Sequence, residues 1–335
     1  MSITIVDIAQ KLGVSYTSVS RALTGKKGVG PETRKRILAE AEKLGYQPNA
    51  LARGLVSKST STVGLLIPDI TNPFFPEVAR GVEEACRQAG YNLFLCNSNW
   101  DRDQERRCLE ALQKNRVDGL IINPSSAANV GFIEKMRIPV VFLNTKIDDR
   151  KTSYVGIDNA LGAGMAVDHL LACGYKRIAF IGGTDQSYSN VQRQAGYVGA
   201  LRLHGLAVEE GLILNGSFDT DSGYQLARRL LESPNPPDAI VAGNDIIALG
   251  VLQYTQEKRL AVPQDFGLVG FDDIYAAGLP QVQLTTIALP KRQLGRQAFS
   301  MLLEKMGTPD TPSAQYVIQP QLVVRNTTRT PSTAS

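Results

Sequence analysis

The alternation of short apolar runs with longer amphipathic segments beyond residue 62 is the feature that most restricts how this chain can fold. Helix candidates include 74–89, 104–115, 161–173, 192–204, 222–231 and 245–257. The strand candidates that they separate are 63–67, 92–96, 119–123, 139–143, 154–157, 177–181, 212–214, 239–242, 267–270 and 285–287. Strands that alternate with helices predict parallel sheets covered by helices on both faces. About ten strands indicate two such sheets, with a break near residue 160.

The first residues follow a different pattern, which predicts a short capped helix. Thr4 can cap its start, with Asp7 three residues later, and Gly13 permits the positive φ that ends it. The i, i+3, i+4, i+7 spacing of one buried helix face is met by Ile5, Ile8, Ala9 and Leu12.

A second helix is predicted to begin after Ser15, and the two together have the form of a helix-turn-helix. Its inward positions are Val19, Ala22 and Leu23, and its outward positions are Tyr16, Thr17, Ser20 and Arg21. A third helix, from Pro31 to Leu44 with Gly45 as its stop, completes a three-helix unit. The outward side chains of the second helix suit base edges in a major groove.

The charge distribution decides between a DNA-reading unit and a three-helix bundle whose polar residues are merely solvated. Residues 1–60 carry ten Lys or Arg against four Asp or Glu, a net charge of +6, whereas the whole chain has +4. The remaining residues therefore sum to −2, and all the excess positive charge lies on one small segment. Binding to a phosphate backbone requires such a concentration of charge.

A linker with a short helix inside it is predicted at 48–61. The segment Asn49-Ala-Leu-Ala-Arg-Gly-Leu-Val56 has helical composition, and the Ser/Thr-rich run after it is polar and flexible in composition.

Polar and aromatic side chains follow several of the predicted strands, where an open parallel sheet binds its ligands. The candidates in these loops are Asn72, Phe74, Phe75, Asn144, Asn244 and Asp272, joined by Arg193 at a helix start and Phe218 in a loop. Flat rings can cover the C–H faces of a sugar while Asp, Asn and Arg bind its hydroxyls. Each residue alone could instead cap a helix or fill a core. Their joint placement favours a site for a small polyhydroxylated ligand.

The sequence offers no catalytic, cofactor or metal site. Gly182-Gly183 after a strand is not a dinucleotide-binding fingerprint, and neither His169 nor His204 has a plausible Ser or Cys nucleophile beside it. The four cysteines, Cys86, Cys96, Cys108 and Cys173, lack C-x-x-C spacing and are expected to be free thiols. With no apolar run of membrane length and no signal peptide, the chain is expected in the cytoplasm.

These motifs, in this order, resemble the lactose/galactose repressor (LacI/GalR) family of bacterial transcription regulators over residues 3–328. The resemblance rests on VDIAQKLGVSYTSVSRAL, PNALARGL, IPDITNPFF, YVGIDNALGAGMAVDHLLACGYKRIAFIGG, RQAGYVGAL, AGNDIIALGVL and LVGFDDI. It implies a helix-turn-helix headpiece, a two-lobed α/β core like periplasmic sugar-binding proteins, and a homodimer or tetramer on a pseudo-palindromic double-stranded operator.

The resemblance also assigns roles to individual DNA-binding residues. Tyr16, Thr17 and Arg21 match base-reading positions, with Ser15 and Ser20 beside them. In the family the linker segment becomes an ordered helix on operator DNA, and the position of Leu55 wedges into the minor groove. The linker candidates are Asn49, Ala52, Arg53 and Leu55.

In the core, the resemblance implies a sugar-like effector but leaves its identity open. Seven of the eight loop candidates, all except Asn144, match sugar-binding positions of ribose-binding-like members. Asn144-Thr145 stands where many relatives have an Asp-Arg pair, and Leu289 where a Gln is expected. This departure argues against free ribose, and a modified pentose, a hexose or a sugar acid remain possible.

The expected domains are a headpiece at 1–47, a hinge at 48–61, lobe one at 62–158 with 289–319, and lobe two at 159–288 with 320–329. The residues from Thr327 onwards are expected to be disordered, and 330–335 form the disordered tail. That tail lacks a heptad helix for a tetramer, so a dimer is favoured. The expected function is that of a repressor whose operator affinity is set by an effector between the lobes. The alternatives are a sugar-binding transport component, an enzyme of doubly wound fold and an effector-independent DNA-binding protein.

Overall fold

The computed structural model describes residues 3–46, 59–125, 127–147, 152–308 and 312–331. The chain divides into two compact units, Met1–Thr60 and Ser61–Ser335, which we call the headpiece and the core. The predicted linker helix, with Asn49, Ala52, Arg53 and Leu55, lies outside the described residues.

The headpiece contains the three predicted helices, α1 (Ile5–Leu12), α2 (Tyr16–Leu23) and α3 (Pro31–Lys43). Thr4 and Asp7 form a reciprocal capping box at the start of α1, and Gly13 ends the helix at φ 67°. The Ser15 hydroxyl accepts a hydrogen bond from Ser18 N at 3.1 Å and so caps α2. Local sequence signals therefore set both helix starts.

The buried faces of the three helices meet in one small core. Its buried members are Ile8, Ala9, Val19, Ala22, Ile37 and Ala41, with Ile5, Leu12 and Leu23 partly buried against them. The predicted inward faces of α1 and α2 are confirmed. The outward residues of α2 remain free of this core.

The first sheet of the core has six strands in the order β11-β5-β4-β3-β1-β2, all parallel. The strands are β1 (Thr62–Ile67), β2 (Asn92–Asn97), β3 (Gly119–Ile122), β4 (Val140–Leu143), β5 (Ser153–Ile157) and β11 (Gln315–Ile318). The helices of this lobe are α4 (Phe74–Gln88), α5 (Arg102–Lys114), α6 (Val130–Lys135) and α11 (Lys291–Gly307). We call the sheet and these helices lobe one.

The second sheet has the order β12-β10-β9-β8-β6-β7 and is parallel except for β12, which runs antiparallel to β10. Its strands are β6 (Ile178–Gly182), β7 (Ile213–Asn215), β8 (Ala239–Ala242), β9 (Gly267–Asp272), β10 (Thr285–Ala288) and β12 (Gln321–Val323). The helices of this lobe, lobe two, are α7 (Asn159–Ala172), α8 (Tyr188–Leu203), α9 (Thr220–Leu231) and α10 (Asp245–Glu257).

Both faces of each sheet are buried along its inner strands, as the continuous apolar runs of those strands predict. In β1, Val63, Leu65 and Ile67 belong to the cluster that packs against α4 and α11, whereas Leu66 faces the cluster that contains α5. Alternate residues of one strand therefore reach opposite layers of helices. This confirms the doubly wound architecture.

Three segments carry the chain between the lobes. β5 leads into α7, β10 leads into α11, and β11 leads into β12 after two residues. Lobe one is thereby completed by residues near the C-terminus. The strand order turns back at β1/β3 in one sheet and at β6/β8 in the other, and the ligand crevice of such sheets lies there.

Several boundaries differ from the predicted ones. α7 begins at Asn159 rather than at residue 161, because Asp158 caps it, and α8 begins at Tyr188 rather than at residue 192, because Ser187 caps it. Twelve strands are described instead of about ten. The added strands, β11 and β12, are short edge strands with mixed composition, so their apolar patterns are weak.

The expectation of disorder from Thr327 onwards is wrong for the first residues of the tail. Leu268 N donates to Thr327 O at 2.8 Å, and Thr327 Oγ1 donates to Leu268 O at 2.7 Å. Thr328 lies within hydrogen-bond distance of His169, at 2.8 Å. These bonds fasten the segment to lobe two, while residues 332–335 lie outside the described part of the chain.

Candidate functional sites

The exposed face of α2 carries the predicted base-reading side chains. Tyr16 is 54% exposed, Thr17 and Arg21 are exposed, and Ser20 is half-buried. Ser15 is exposed as well, but its hydroxyl also caps the helix. Because Val19 and Ala22 anchor the opposite face in the headpiece core, the outward side chains have a fixed platform.

The eight predicted ligand-binding residues of the core come together in one cleft between the lobes. Four further residues line it, namely Trp100, Asn123, Ser187 and Ser189. Asn72, Trp100, Asn123 and Asn144 follow strands of lobe one, and Arg193, Phe218, Asn244 and Asp272 belong to lobe two. The cleft lies at the carboxyl ends of the strands, beside the points where the strand order turns back.

The polar groups on the lobe-one side are held by short-range hydrogen bonds. Asn72 Oδ1 accepts from Phe74 N at 3.1 Å and so shapes the turn into α4. Thr145 Oγ1 donates to Asn123 Oδ1 at 3.3 Å. Asn144 adopts φ 48°, a left-handed conformation that Asn tolerates better than most residues.

A buried arginine organises the lobe-two side. Arg193 donates to Asn159 Oδ1 at 2.8 Å and to the Gly243 carbonyl, and its guanidinium lies 3.5 Å from Asp272 Oδ1. The guanidinium also stacks on the Phe271 ring at 3.8 Å. Since several partners fix its plane, Arg193 presents its remaining hydrogen-bonding capacity in a defined direction.

Two buried carboxyl groups lie behind this arginine. Burial raises the pKa of Asp272 to about 6, although the positive charge of Arg193 opposes the shift. Burial and the nearby Asp272 raise the pKa of Asp245 to about 8, against the hydrogen bond from Thr286. Thr286 Oγ1 donates to Asp245 Oδ1 at 2.6 Å, so Asp245 braces the framework and does not line the cleft.

The backbone at Asp272 is in an unusual conformation. Asp272 has φ 108° and Asp273 has φ 51°. The Lys291 ammonium donates to both of their carbonyl oxygens, and Arg325 donates to Asp273 Oδ1 at 2.6 Å. Conformations of this kind persist where the surrounding structure holds them, commonly at functional sites.

Two buried polar atoms in the cleft lack a hydrogen-bond partner. Within the described residues of the core, Asn144 Oδ1 and Asn244 Nδ2 are the buried side-chain atoms in this state. The orientation of Asn244 is fixed because its Oδ1 caps α10 by accepting from Ile247 N at 2.8 Å. One lobe therefore offers an unused acceptor and the other an unused donor, and such groups are costly to bury unpaired.

Aromatic rings from both lobes close over the cleft. Trp100 stacks on Phe218 across the lobes with ring centroids 5.7 Å apart and an interplanar angle of 26°. Phe74 and Phe75 form an edge-to-face pair at 5.1 Å on the lobe-one side. Sequence reasoning missed Trp100, although the run Asn97-Ser-Asn-Trp100 directly follows a predicted strand, the same signal that located the other residues.

The cleft is closed in this arrangement of the lobes. The free space that its residues enclose is about 30 Å³, whereas small-molecule sites have volumes of several hundred Å³. Ser189 Oγ reaches the Asn144 carbonyl at 3.5 Å and adds a contact between the lobes. A ligand of sugar size therefore needs the lobes to separate before it can enter.

The histidines and cysteines have structural surroundings. His169 is buried in α7 beside Thr328, and His204 lies 2.8 Å from Asp168 on the surface. All four cysteines are free thiols, as expected. Among the described residues there is no cluster of three His, Cys, Asp or Glu that could hold a metal ion, and no helix that could cross a membrane.

Two protein-family models match the chain and cover almost all of it. The model of bacterial regulatory proteins of the lacI family matches residues 4–49, and the model of periplasmic binding proteins and the sugar binding domain of the LacI family matches residues 60–329. The first match lies within the headpiece, and the second begins at residue 60, next to the boundary between the headpiece and the core.

Similar proteins share the full length of the chain. Catabolite control protein A of Priestia megaterium is 36% identical over 332 residues, which cover 98% of this chain and 100% of that protein. The ribose operon repressor of Escherichia coli K12 is 34% identical over 325 residues, which cover 96% and 98% of the two chains.

Solved structures of regulators are similar in fold. The lac repressor dimer bound to operator and the anti-inducer ONPF has a TM-score of 0.88 at 25% identity, and the match covers 98% of this chain and 100% of that one. A LacI family regulator from Enterococcus faecium with bound ribose has a TM-score of 0.72 at 28% identity, over 80% of this chain and 98% of that one. With its helix-turn-helix unit, its two parallel-sheet lobes and both family models matched, the chain belongs to the LacI family of bacterial regulatory proteins.

Proposed function

We propose that this protein is a transcription repressor whose affinity for operator DNA is controlled by a neutral, sugar-like effector in the cleft between the lobes. The observation that carries the effector site is the pair of unpartnered polar atoms, Asn144 Oδ1 and Asn244 Nδ2, on opposite lobes of one cleft. A hydroxyl-rich ligand satisfies both, because each hydroxyl can donate and accept.

The effector class follows from the charges and rings of the cleft. Arg193 and Asp272 balance each other, so the pair offers no excess positive charge to an anionic ligand. The aromatic rings suit the C–H faces of a sugar, and the amides suit its hydroxyls. We therefore favour a neutral modified pentose or hexose over a sugar acid. The Asn144 and Leu289 departures argue against free ribose, although a relative binds it.

The headpiece is proposed to read the operator through Tyr16, Thr17, Ser20 and Arg21, with Ser15 at the helix start. The linker residues Asn49, Ala52, Arg53 and Leu55 are proposed to bind the minor groove as a helix that orders on DNA. A homodimer would place two headpieces on two half-sites. The lac repressor, which is similar in fold, binds its operator as a dimer.

The lobes are proposed to span 62–158 with 289–319 and 159–288 with 320–329. Pairing of β11 with β5 and of β12 with β10 supports these bounds. Effector binding then shifts the population between two lobe geometries with different spacing of the paired linkers, and operator affinity follows. We further propose that the protein acts in the cytoplasm, without enzymatic activity, cofactor or metal.

The DNA-reading proposal is tested with Arg21→Ala in the full-length protein. Titrations against a selected operator duplex and a random duplex should show a preference for operator that is reduced by about fivefold or more, with salt-sensitive binding to both retained. Arg36→Ala, which removes the same charge from the exposed face of α3, is the matched control and should keep the preference. An unchanged preference in Arg21→Ala would sink the assignment.

The effector site is tested with Asp272→Ala and a panel of pentoses, hexoses, sugar acids, sugar phosphates and purines. Trp100 is the single tryptophan of the chain and lies in the cleft, so its fluorescence reports binding. The wild type should change its emission and its operator affinity with one neutral sugar, and Asp272→Ala should lose both responses while still binding operator. Asp265→Ala, an aspartate outside the cleft, is the control. If Asp272→Ala still responds, the site is misplaced; if an anionic member alone is active, the neutral class is wrong.

A further inference from the structure

The loop between α2 and α3 is held by hydrogen bonds on both sides of one residue, Lys26. Lys26 N donates to the Arg21 carbonyl at 3.1 Å, and the Lys26 carbonyl accepts from the Arg34 guanidinium on α3. Val29 packs partly buried against the headpiece core. Gly28 lies between these two anchors, so its position relative to α2 is set.

Gly28 lies directly against the side chain of Arg21. A Cβ atom on Gly28 would be 2.9 Å from Arg21 Nη1 and 3.6 Å from Arg21 Cδ and Cζ. The backbone at Gly28 has φ 106°, which L side chains rarely adopt. A Cβ atom on Gly28 would therefore require the end of the Arg21 side chain to shift.

We infer that Gly28 is a positioning residue for base reading: its bare backbone supports the Arg21 guanidinium in one orientation on the DNA-facing side of α2. This rests on the proposed role of Arg21. An arginine that is already confined loses less conformational freedom when it forms a bidentate contact with a base. Gly28 thus contributes to specificity at one base pair by positioning Arg21, although Gly28 has no side chain that could contact a base.

The same loop contains a matched control. Gly25 has φ 72°, and a Cβ atom on it would meet no neighbouring atom within 4 Å. Gly25→Ala also places an L residue at positive φ in the same loop, and it leaves Arg21 untouched. Gly25→Ala therefore shows what backbone strain in this loop does to DNA binding when Arg21 is not displaced.

The test compares the base preferences of full-length wild type, Gly28→Ala, Gly25→Ala and Arg21→Ala. Binding sites are selected from a random duplex library, and each base pair of the half-site is then varied singly. Arg21→Ala should lose about fivefold or more of its preference at one base pair, the range of a bidentate contact. Gly28→Ala should lose its preference at that same base pair, keep random-duplex affinity within about twofold and keep the salt dependence, because the charge remains.

The outcomes separate the two proposals. If Arg21→Ala leaves every base preference unchanged, the role of Arg21 is wrong. If Arg21→Ala acts at one base pair but Gly28→Ala weakens all positions alike, or changes that base pair no more than Gly25→Ala does, the inference about Gly28 is wrong. If Gly28→Ala folds poorly, the inference can still be tested on the wild-type protein. A nuclear Overhauser contact between Arg21 Hδ and Gly28 Hα is expected there, and its absence would also overturn the inference.

Discussion

Replacing Arg193 by leucine should destabilise the core by an amount that depends on pH. Arg193 and Asp272 are buried, with 6% and 3% exposed, and they face each other at 3.5 Å. The variant leaves the carboxyl group of Asp272 buried without its cation, and it also removes the hydrogen bonds to Asn159 and Gly243.

The magnitude follows from these contacts. Breaking a buried ion pair by removing one partner costs about 3–5 kcal/mol, which we expect at pH 7.5. The pKa of Asp272 is about 6 in the folded chain against 3.8 for an ordinary Asp, and it should rise further without Arg193. Because the unfolded chain releases this proton first, stability falls as pH rises from about 4 to the folded pKa. At pH 5 the buried carboxyl is largely neutral in the variant, and the loss should shrink to about 1–3 kcal/mol.

Urea unfolding of the full-length protein, followed by Trp100 fluorescence and far-ultraviolet circular dichroism, measures the loss of stability at pH 7.5 and at pH 5. Arg329→Leu is the matched control, since Arg329 stacks on Tyr175 at 4.5 Å and donates to Gln264 O at 2.6 Å from a more exposed place. It should cost about 1 kcal/mol at both pH values. Adding Asp272→Asn to Arg193→Leu should restore part of the stability at pH 7.5. A loss under about 1 kcal/mol, or an equal loss at both pH values, would refute the electrostatic reasoning.

Two further predictions concern helix packing and acid stability. Gly196→Ala should lower the free energy of unfolding in urea by about 2 kcal/mol or more, because its Cβ would overlap the Ala160 carbonyl of the adjacent helix. Gly199 lies in the same helix as Gly196, and a Cβ on it meets no atom within 4 Å. Gly199→Ala should therefore stabilise the protein by about 0.5–1 kcal/mol. Burial lowers the pKa of His169 below 6.5, so the unfolded chain binds the proton first and stability is lost as pH falls from 6.5 to the folded pKa. His169→Asn should flatten the fall in melting temperature over that range; an unaltered profile would mean that other groups cause it.

The cleft could be located from the sequence because many of its residues lie at or just after the ends of strands. The parallel topology of the sheets brings these strand ends together. Asn72, Asn144 and Asn244 follow strands, and Asp272 is the last residue of β9. Trp100 also follows a strand, but the ring on which it stacks, Phe218, belongs to the other lobe. No local sequence pattern predicts a contact between rings of two lobes.

The remaining differences arise where tertiary contacts decide the outcome. β11 and β12 exist because the edges of two finished sheets accept them, and their own patterns are weak. Thr327 is polar and near the chain end, which suggests a frayed tail, but its hydrogen bonds to Leu268 order it. Gly28 shows the same limit, since only the folded loop brings it beneath Arg21.

The order of the elements along the chain has a consequence for synthesis. The three helices α1 to α3 are complete once residue 43 has been made, whereas lobe one needs α11 and β11, and lobe two needs β12. Both sheets therefore receive their last strands within the segment 315–323, after all their other strands have been made. A nonsense mutation before residue 315 leaves the helix-turn-helix intact and both lobes unfinished. Late truncations of this gene should consequently separate DNA contact from effector control, with the second lost first.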